Sequence, residues 1–258
     1  MPATQAEPPL LEIGGGVATI TLRRPASHNR IEPDDLAVLR GYLRELDDTP
    51  AVKIIVFAGV GKTFSSGFDL SQLGKAAATQ GAENTFEAFT DEIENARAVT
   101  IAKLSGPVYG GATDLALACD FRLGAEGIRM FMPAAKLGLH YYGHGIRRWV
   151  TRLGLGAAKR LFLTARPIDA AEMLRIGYLD SLVPAAELDA ELARWIGELD
   201  SVAPVPLVSM KSILNATARQ QYDEAEAQAA HRQSLASSDI REALAAFAEK
   251  RAPVFTGR

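Results

Sequence analysis

With a single cysteine, Cys119, among its 258 residues, the chain can close no internal disulfide. It also lacks any apolar run long enough to cross a bilayer, so no membrane association is expected. Histidine is scarce, with four in all, and nowhere do Cys and His recur at ligand spacing; no metal site is expected. Neither sign of charge dominates. The 28 basic residues against 31 acidic ones give a net charge of -3, which offers no basic stripe to a phosphate backbone and argues against nucleic acid as a partner. The opening residues 1–9 have no basic-then-apolar layout of a signal peptide and read as a loose head, and a cytoplasmic location is the expectation. What the chain does have is 48% hydrophobic and 23% charged residues, enough to bury one large core.

Periodicity divides that core into two regimes. Residues 17–22 alternate apolar side chains with Thr, and Gly14, Gly15 and Gly16 before them suit a hairpin with 10–13. After Pro33, which fits a first helical turn, Leu36, Leu39, Leu43 and Leu46 recur at helical spacing. The continuous apolar runs at 52–58 and 99–104 read as strands covered on both faces; each is followed by a glycine-bearing loop. Phe86, Phe89, Ile93 and Ala96 mark a helix after the first, and residues 113–119 a short apolar helix after the second. This repetition predicts an α/β fold with helices packed on a mainly parallel sheet. Beyond residue 140 the pattern is almost wholly helical: 146–153, 157–163, a helix opened by Asp169 and Glu172, then 188–199, 207–218 and 240–247. The division expected is a head at 1–9, a core at 10–199 and a helical region at 200–258.

Several motifs fail on inspection. Gly61, Lys62 and Thr63 follow a strand as in a phosphate-binding loop, but Val56 stands where the first glycine belongs and Ser65, Ser66 and Gly67 interrupt the helix that should follow. The Gly14–Gly16 run has no strand entering it and no helix leaving it, so it is no dinucleotide fingerprint. Gly-x-Ser-x-Gly is absent.

Two stretches carry more together than apart: Phe64-Ser65-Ser66-Gly67-Phe68-Asp69-Leu70 after the first buried strand, and Ser105-Gly106-Pro107-Val108-Tyr109-Gly110-Gly111-Ala112-Thr113-Asp114-Leu115, running on to Asp120, after the second. In order and spacing they resemble the two signature stretches of the crotonase superfamily, the enoyl-CoA hydratase/isomerase family. The resemblance continues through Lys136 to Leu139, Leu163 to Ala165, Ala170 to Gly177 and Glu249 to Phe255, spanning nearly the whole chain. It implies a crotonase-like spiral of repeated ββα units with a helical C-terminal region used in a homotrimer or a dimer of trimers. It implies an acyl-CoA thioester as substrate, with coenzyme A entering as part of that substrate and no separate cofactor. By the same resemblance the amides of Phe68 and Gly111 form an oxyanion hole, while Lys62, Ser66, Gly67, Asp69, Leu70, Gly110 and Ala134 fall at positions that bind substrate or CoA.

Asp114 occupies the position of the first catalytic glutamate of the family's hydratases; an acid there can also simply cap the helix. The second glutamate is missing, because Met132-Pro133 is followed by Ala134. Addition of water to a double bond shares its proton traffic between two carboxylates, so the pair is incomplete for a hydratase. Downstream, His140, Tyr141, Tyr142 and His144 crowd into five residues; His140, Tyr141 and His144 are candidates to supply the proton or to hold an acyl carboxylate, and a polar rim with buried rings is the plainer alternative. Tyr141, the Gly-Gly-Ala turn and the absent glutamate also resemble the superfamily's methylmalonyl-CoA decarboxylases. Hydration or isomerisation, decarboxylation, and CoA binding without catalysis all stay open on the sequence.

Overall fold

In the computed structural model, residues 7–69 and 85–257 are described. Strand β1 (Leu10–Gly14) turns through Gly15 and Gly16 into an antiparallel pairing with β2 (Val17–Leu22), with Leu10 opposite Thr21. Every later strand of the main sheet runs parallel to β2: β3 (Ile54–Gly59), β4 (Val99–Leu104), β6 (Phe121–Ala125) and β9 (Ser181–Val183), in the order β1-β2-β3-β4-β6-β9. A second sheet of β5 (Val108–Tyr109), β7 (Arg129–Phe131) and β8 (Ile168–Asp169) stands beside it, and the chain coils between the two sheets as it advances.

Helix α1 (Pro33–Asp47) begins with Pro33 in its first turn and a reciprocal cap between Glu32 and Asp35, and buries Leu36, Leu39, Leu43 and Leu46. Helices α2 (Thr85–Asn95) and α3 (Gly111–Ala118) follow β3 and β5 and add Phe86, Phe89, Ile93, Leu115 and Leu117 to the same core. The two helices expected at 146–153 and 157–163 are present within Gly143–Thr164, labelled together α4, and meet at a kink where Gly154 leaves helical geometry. Asp169 caps α5 (Ala170–Arg175) as expected, accepting from the Glu172 amide.

Helices α6 (Leu188–Asp200), α7 (Pro204–Ala218), α8 (Glu224–Ala236) and α9 (Ser238–Glu249) complete the chain. Helix α9 is capped by Ser237, and Asp239 accepts from the Thr256 and Gly257 amides. Residues 7–9 are tied down, since Arg23 Nε donates to Pro8 O and Tyr42 to Pro9 O. Helices α7 and α8 bury none of their residues, and Met210, Leu214, Leu235, Leu244 and Phe247 lie exposed along α7 to α9. Among the described residues no helix is long and apolar enough to cross a membrane.

Candidate active site

The parallel order of β3 and β4 delivers their two following loops side by side. Phe64 N donates to Pro107 O and Tyr109 N to Ser65 O, so the loops pair like short strands. On the far side Ile31 N donates to Gly67 O and Asp69 N to Ile31 O, clamping the first loop from behind. Ser65 completes the clamp: its hydroxyl donates to Asn29 O and accepts from Gly67 N. The second loop is held by Gly110 N donating to Phe131 O.

The two loops touch at glycine. Gly67 has φ +87°, and a Cβ placed on it would come within 2.6 Å of Gly111 N; one placed on Gly111 would lie 3.5 Å from Phe68 N and 2.9 Å from the Phe86 ring. No side chain but hydrogen fits at such a contact. The amides of Phe68 and Gly111 are thereby brought together, and neither donates a hydrogen bond to any described residue. Gly111 is also the first residue of α3, whose N-terminal dipole favours negative charge at that point.

Phe68 and Gly111 both border a cavity of about 470 Å³ whose walls also include Ser66, Phe86, Tyr109, Gly110, Met132, Ala134, His140, Tyr141 and Tyr142. Rings form much of the wall: Phe68 lies 5.7 Å from Phe86, Phe86 6.4 Å from Tyr142, and Tyr142 stacks on Tyr141 at 4.2 Å. No carboxylate lines the cavity among the described residues.

The remaining candidates divide. Asp114 is fully buried and does not itself line the cavity. Its Oδ2 accepts from Tyr142 Oη at 2.7 Å and from Arg148 Nη1 at 2.6 Å, while Tyr141 Oη donates to Tyr142 Oη at 3.0 Å. A chain of hydrogen bonds thus runs from Tyr141 through Tyr142 to Asp114. Burial, and next the negative charge of Asp114, push both phenols well above the ordinary tyrosine value, so each stays protonated. His140 is exposed at the rim with Nδ1 2.8 Å from Tyr141 O. His144 is not on the cavity: its exposed ring packs against α2, Nδ1 2.5 Å from Asp91 Oδ2.

Lys62 is exposed and off the cavity, and Asp69 is buried 3.9 Å from Arg30. Leu70 lies outside the described residues. Cys119 is buried, and its thiol is pushed up to about 12 by that burial.

Arg148 is the residue that motif reading passed over. It is fully buried, donates to Asp114 and to Asp91 at 2.8 Å, and stands 3.3 Å from Glu94. By helical spacing it falls away from the face marked by Ile146, Trp149, Val150 and Leu153, so the apolar pattern gave no sign of its burial.

A parallel sheet coiling against a smaller one, with two glycine-bearing loops meeting at the wall of a largely apolar cavity, defines a crotonase fold. The enoyl-CoA hydratase/isomerase family model matches residues 12–258. The chain is 30% identical over 252 residues to a probable enoyl-CoA hydratase of Mycobacterium bovis, covering 96% of this chain and 98% of the relative. It is 32% identical to a carnitinyl-CoA dehydratase of Salmonella typhi over 95% of this chain and 96% of that one. The solved structure of an enoyl-CoA hydratase/carnitine racemase from Magnetospirillum magneticum superposes with a TM-score of 0.87 at 26% identity, covering 98% of this chain and 96% of that chain. The chain belongs to the enoyl-CoA hydratase/isomerase family.

Proposed function

We propose that the protein transforms an acyl-CoA thioester through an enolate whose oxygen accepts from the amides of Phe68 and Gly111, and that the enolate arises by loss of carbon dioxide from a malonyl-type acyl group. One observation carries this reading: Phe68 and Gly111 border a cavity whose wall includes the protonated phenols of Tyr141 and Tyr142 and, among the described residues, no carboxylate. A phenol held above its ordinary pKa can give a proton but is a poor group for taking one from carbon. Chemistry that makes the enolate without a base therefore suits the site. In decarboxylation the carbon–carbon bonding pair moves into the enolate as carbon dioxide departs. Tyr142 then swings its hydroxyl hydrogen from Asp114 onto the α-carbon and takes a proton from Tyr141, which recovers one from solvent. The two amides meet the charge as it develops on oxygen, each worth about 3–4 kcal/mol of barrier. In this reading His140, exposed at the rim, meets the substrate carboxylate before it leaves as carbon dioxide.

A second reading has its own support. The Tyr142–Asp114 hydrogen bond gives a buried carboxylate a one-hydroxyl route to the cavity, which suits an isomerase or a hydratase, as the relatives' names suggest. Mass spectrometry of a panel holding malonyl-, methylmalonyl- and crotonyl-CoA separates the two. Release of carbon dioxide, with one solvent deuterium at the α-carbon in heavy water, is expected; hydration of crotonyl-CoA with no carbon dioxide released would favour the second reading and sink the first. CoA affinity without turnover of any thioester would leave only a binding protein. The exposed apolar residues of α7 to α9 also support assembly into a homotrimer or a dimer of trimers, which light scattering reads directly.

A further inference from the structure

Behind the cavity wall lies a cluster of buried charge that the reaction as proposed does not use. Arg148 projects from α4 into it and meets Asp114 of α3 and both Asp91 and Glu94 of α2. Arg147 and Arg152, on the same helix, close on Glu94 from the other side, at 2.8 Å and 3.7 Å. His144 faces Asp91 at the solvent edge, and Tyr178, buried, donates to the carbonyl of Thr113. Of the three carboxylates gathered by Arg148, only Asp114 bonds to a residue of the cavity wall.

We propose that Arg148 is a positioning residue: its guanidinium fixes Asp114 as a charged acceptor, and Asp114 in turn fixes the Tyr142 hydroxyl at the cavity wall. The inference rests on the reading of Tyr142 as proton donor. Both Arg148 Nη1 and Tyr142 Oη donate to the same oxygen, Asp114 Oδ2, so moving the guanidinium moves the phenol's acceptor. Asp114 Oδ1 is buried with no hydrogen-bond partner, so no second anchor holds the carboxylate from that side. An aspartate buried without its cation takes up a proton, and a protonated Asp114 would offer Tyr142 a hydroxyl in place of a charge. Arginine is suited to this place because its planar fork donates along several directions at once; a lysine keeps the charge but cannot hold three carboxylates in the same geometry.

The test compares Arg148→Lys, Arg148→Met and Arg148→Met/Asp114→Asn with the unaltered protein. In Arg148→Lys, kcat is expected to fall roughly 100-fold with KM held within about threefold, the loss expected when a reacting group shifts by about an ångström. A role confined to bracing α2 against α4 would lower stability and leave kcat alone. Infrared spectra of Arg148→Met are expected to show a protonated-carboxyl band that is absent from the unaltered protein and lost in Arg148→Met/Asp114→Asn. Unchanged kcat in Arg148→Lys, or a loss confined to KM, overturns the proposal, and that variant decides the matter if Arg148→Met does not fold. If the unaltered protein turns over no thioester, the proposed reaction has failed, and the carboxyl band still tests the positioning: a folded Arg148→Met without it overturns the inference.

Discussion

Replacing Gly67 by alanine tests the contact between the two loops most directly. Two separate costs arise. At φ +87° a side chain strains the backbone by about 1–2 kcal/mol, and the new Cβ would sit 2.6 Å from Gly111 N and 3.0 Å from both Ala112 N and Tyr109 O. These neighbours are backbone, so relief requires the loops to part, at an overpacking cost of about 1–3 kcal/mol more. Gly127 supplies the control, since it has φ +81° with nothing within 4 Å of its added Cβ and so carries the first cost alone. Denaturant unfolding should therefore place Gly67→Ala about 1–3 kcal/mol below Gly127→Ala. Turnover should separate them further: parting the loops moves the Phe68 and Gly111 amides off a shared oxygen, and loss of one such donor costs about 10²–10³-fold in kcat. A folded Gly67→Ala protein with the turnover of Gly127→Ala would refute the view that these amides act as a pair.

Introducing the missing acid as Ala134→Glu should lower stability by about 1–3 kcal/mol, because the site is buried and mostly apolar, and should raise hydration of crotonyl-CoA; no gain in hydration over the unaltered protein would show that more than this carboxylate is absent. Asp120 accepts from both Thr100 N and Thr100 Oγ1 and pairs with Lys211 at 2.7 Å, tying α7 to the start of β4. Asp120→Ala should cost about 2–4 kcal/mol in thermal or denaturant unfolding, and a loss under 1 kcal/mol would remove it from that role. Cys119 gives a pH dependence of definite sign. Burial raises its folded pKa to about 12, above the unfolded value of about 8.5, so the folded state binds the proton more tightly. Its contribution is complete below about pH 8.5 and declines as pH climbs toward 12. Cys119→Ala should therefore unfold less steeply over the first part of that range, before the buried tyrosines titrate, and an unchanged alkaline limb would contradict the assignment.

The first half of the fold was open to reading because its strands are long and buried on both faces: the run from Val99 to Leu104 was delimited to the residue. Short strands were not. β6 and β7 have five and three residues, too few for periodicity to stand out, and β8 with β9 interrupts a stretch that looked wholly helical. Helix α8 escaped notice for the opposite reason. Its sequence EAEAQAAHRQSLA has little apolar character because it buries nothing, so pattern had no face to mark.

The candidate site divides along the same physical line. Glycines in two turns could be read because close backbone approach demands a residue type, and the demand is visible in sequence wherever the turn lies. Ion pairs leave no such trace. Asp114 is legible through its place in the second signature stretch, but its neighbour Arg148 lies in a different helix and arrives only when α4 packs over α3. With its charge met by a guanidinium and its oxygen occupied by a phenol, that aspartate connects to the cavity wall through Tyr142 and does not face the cavity. His144 shows the converse, since sequence set it beside Tyr141 and Tyr142 while the first turn of α4 rotates it toward Asp91. Adjacency along the chain told which residues were near the cavity, and only packing could tell which of them face it.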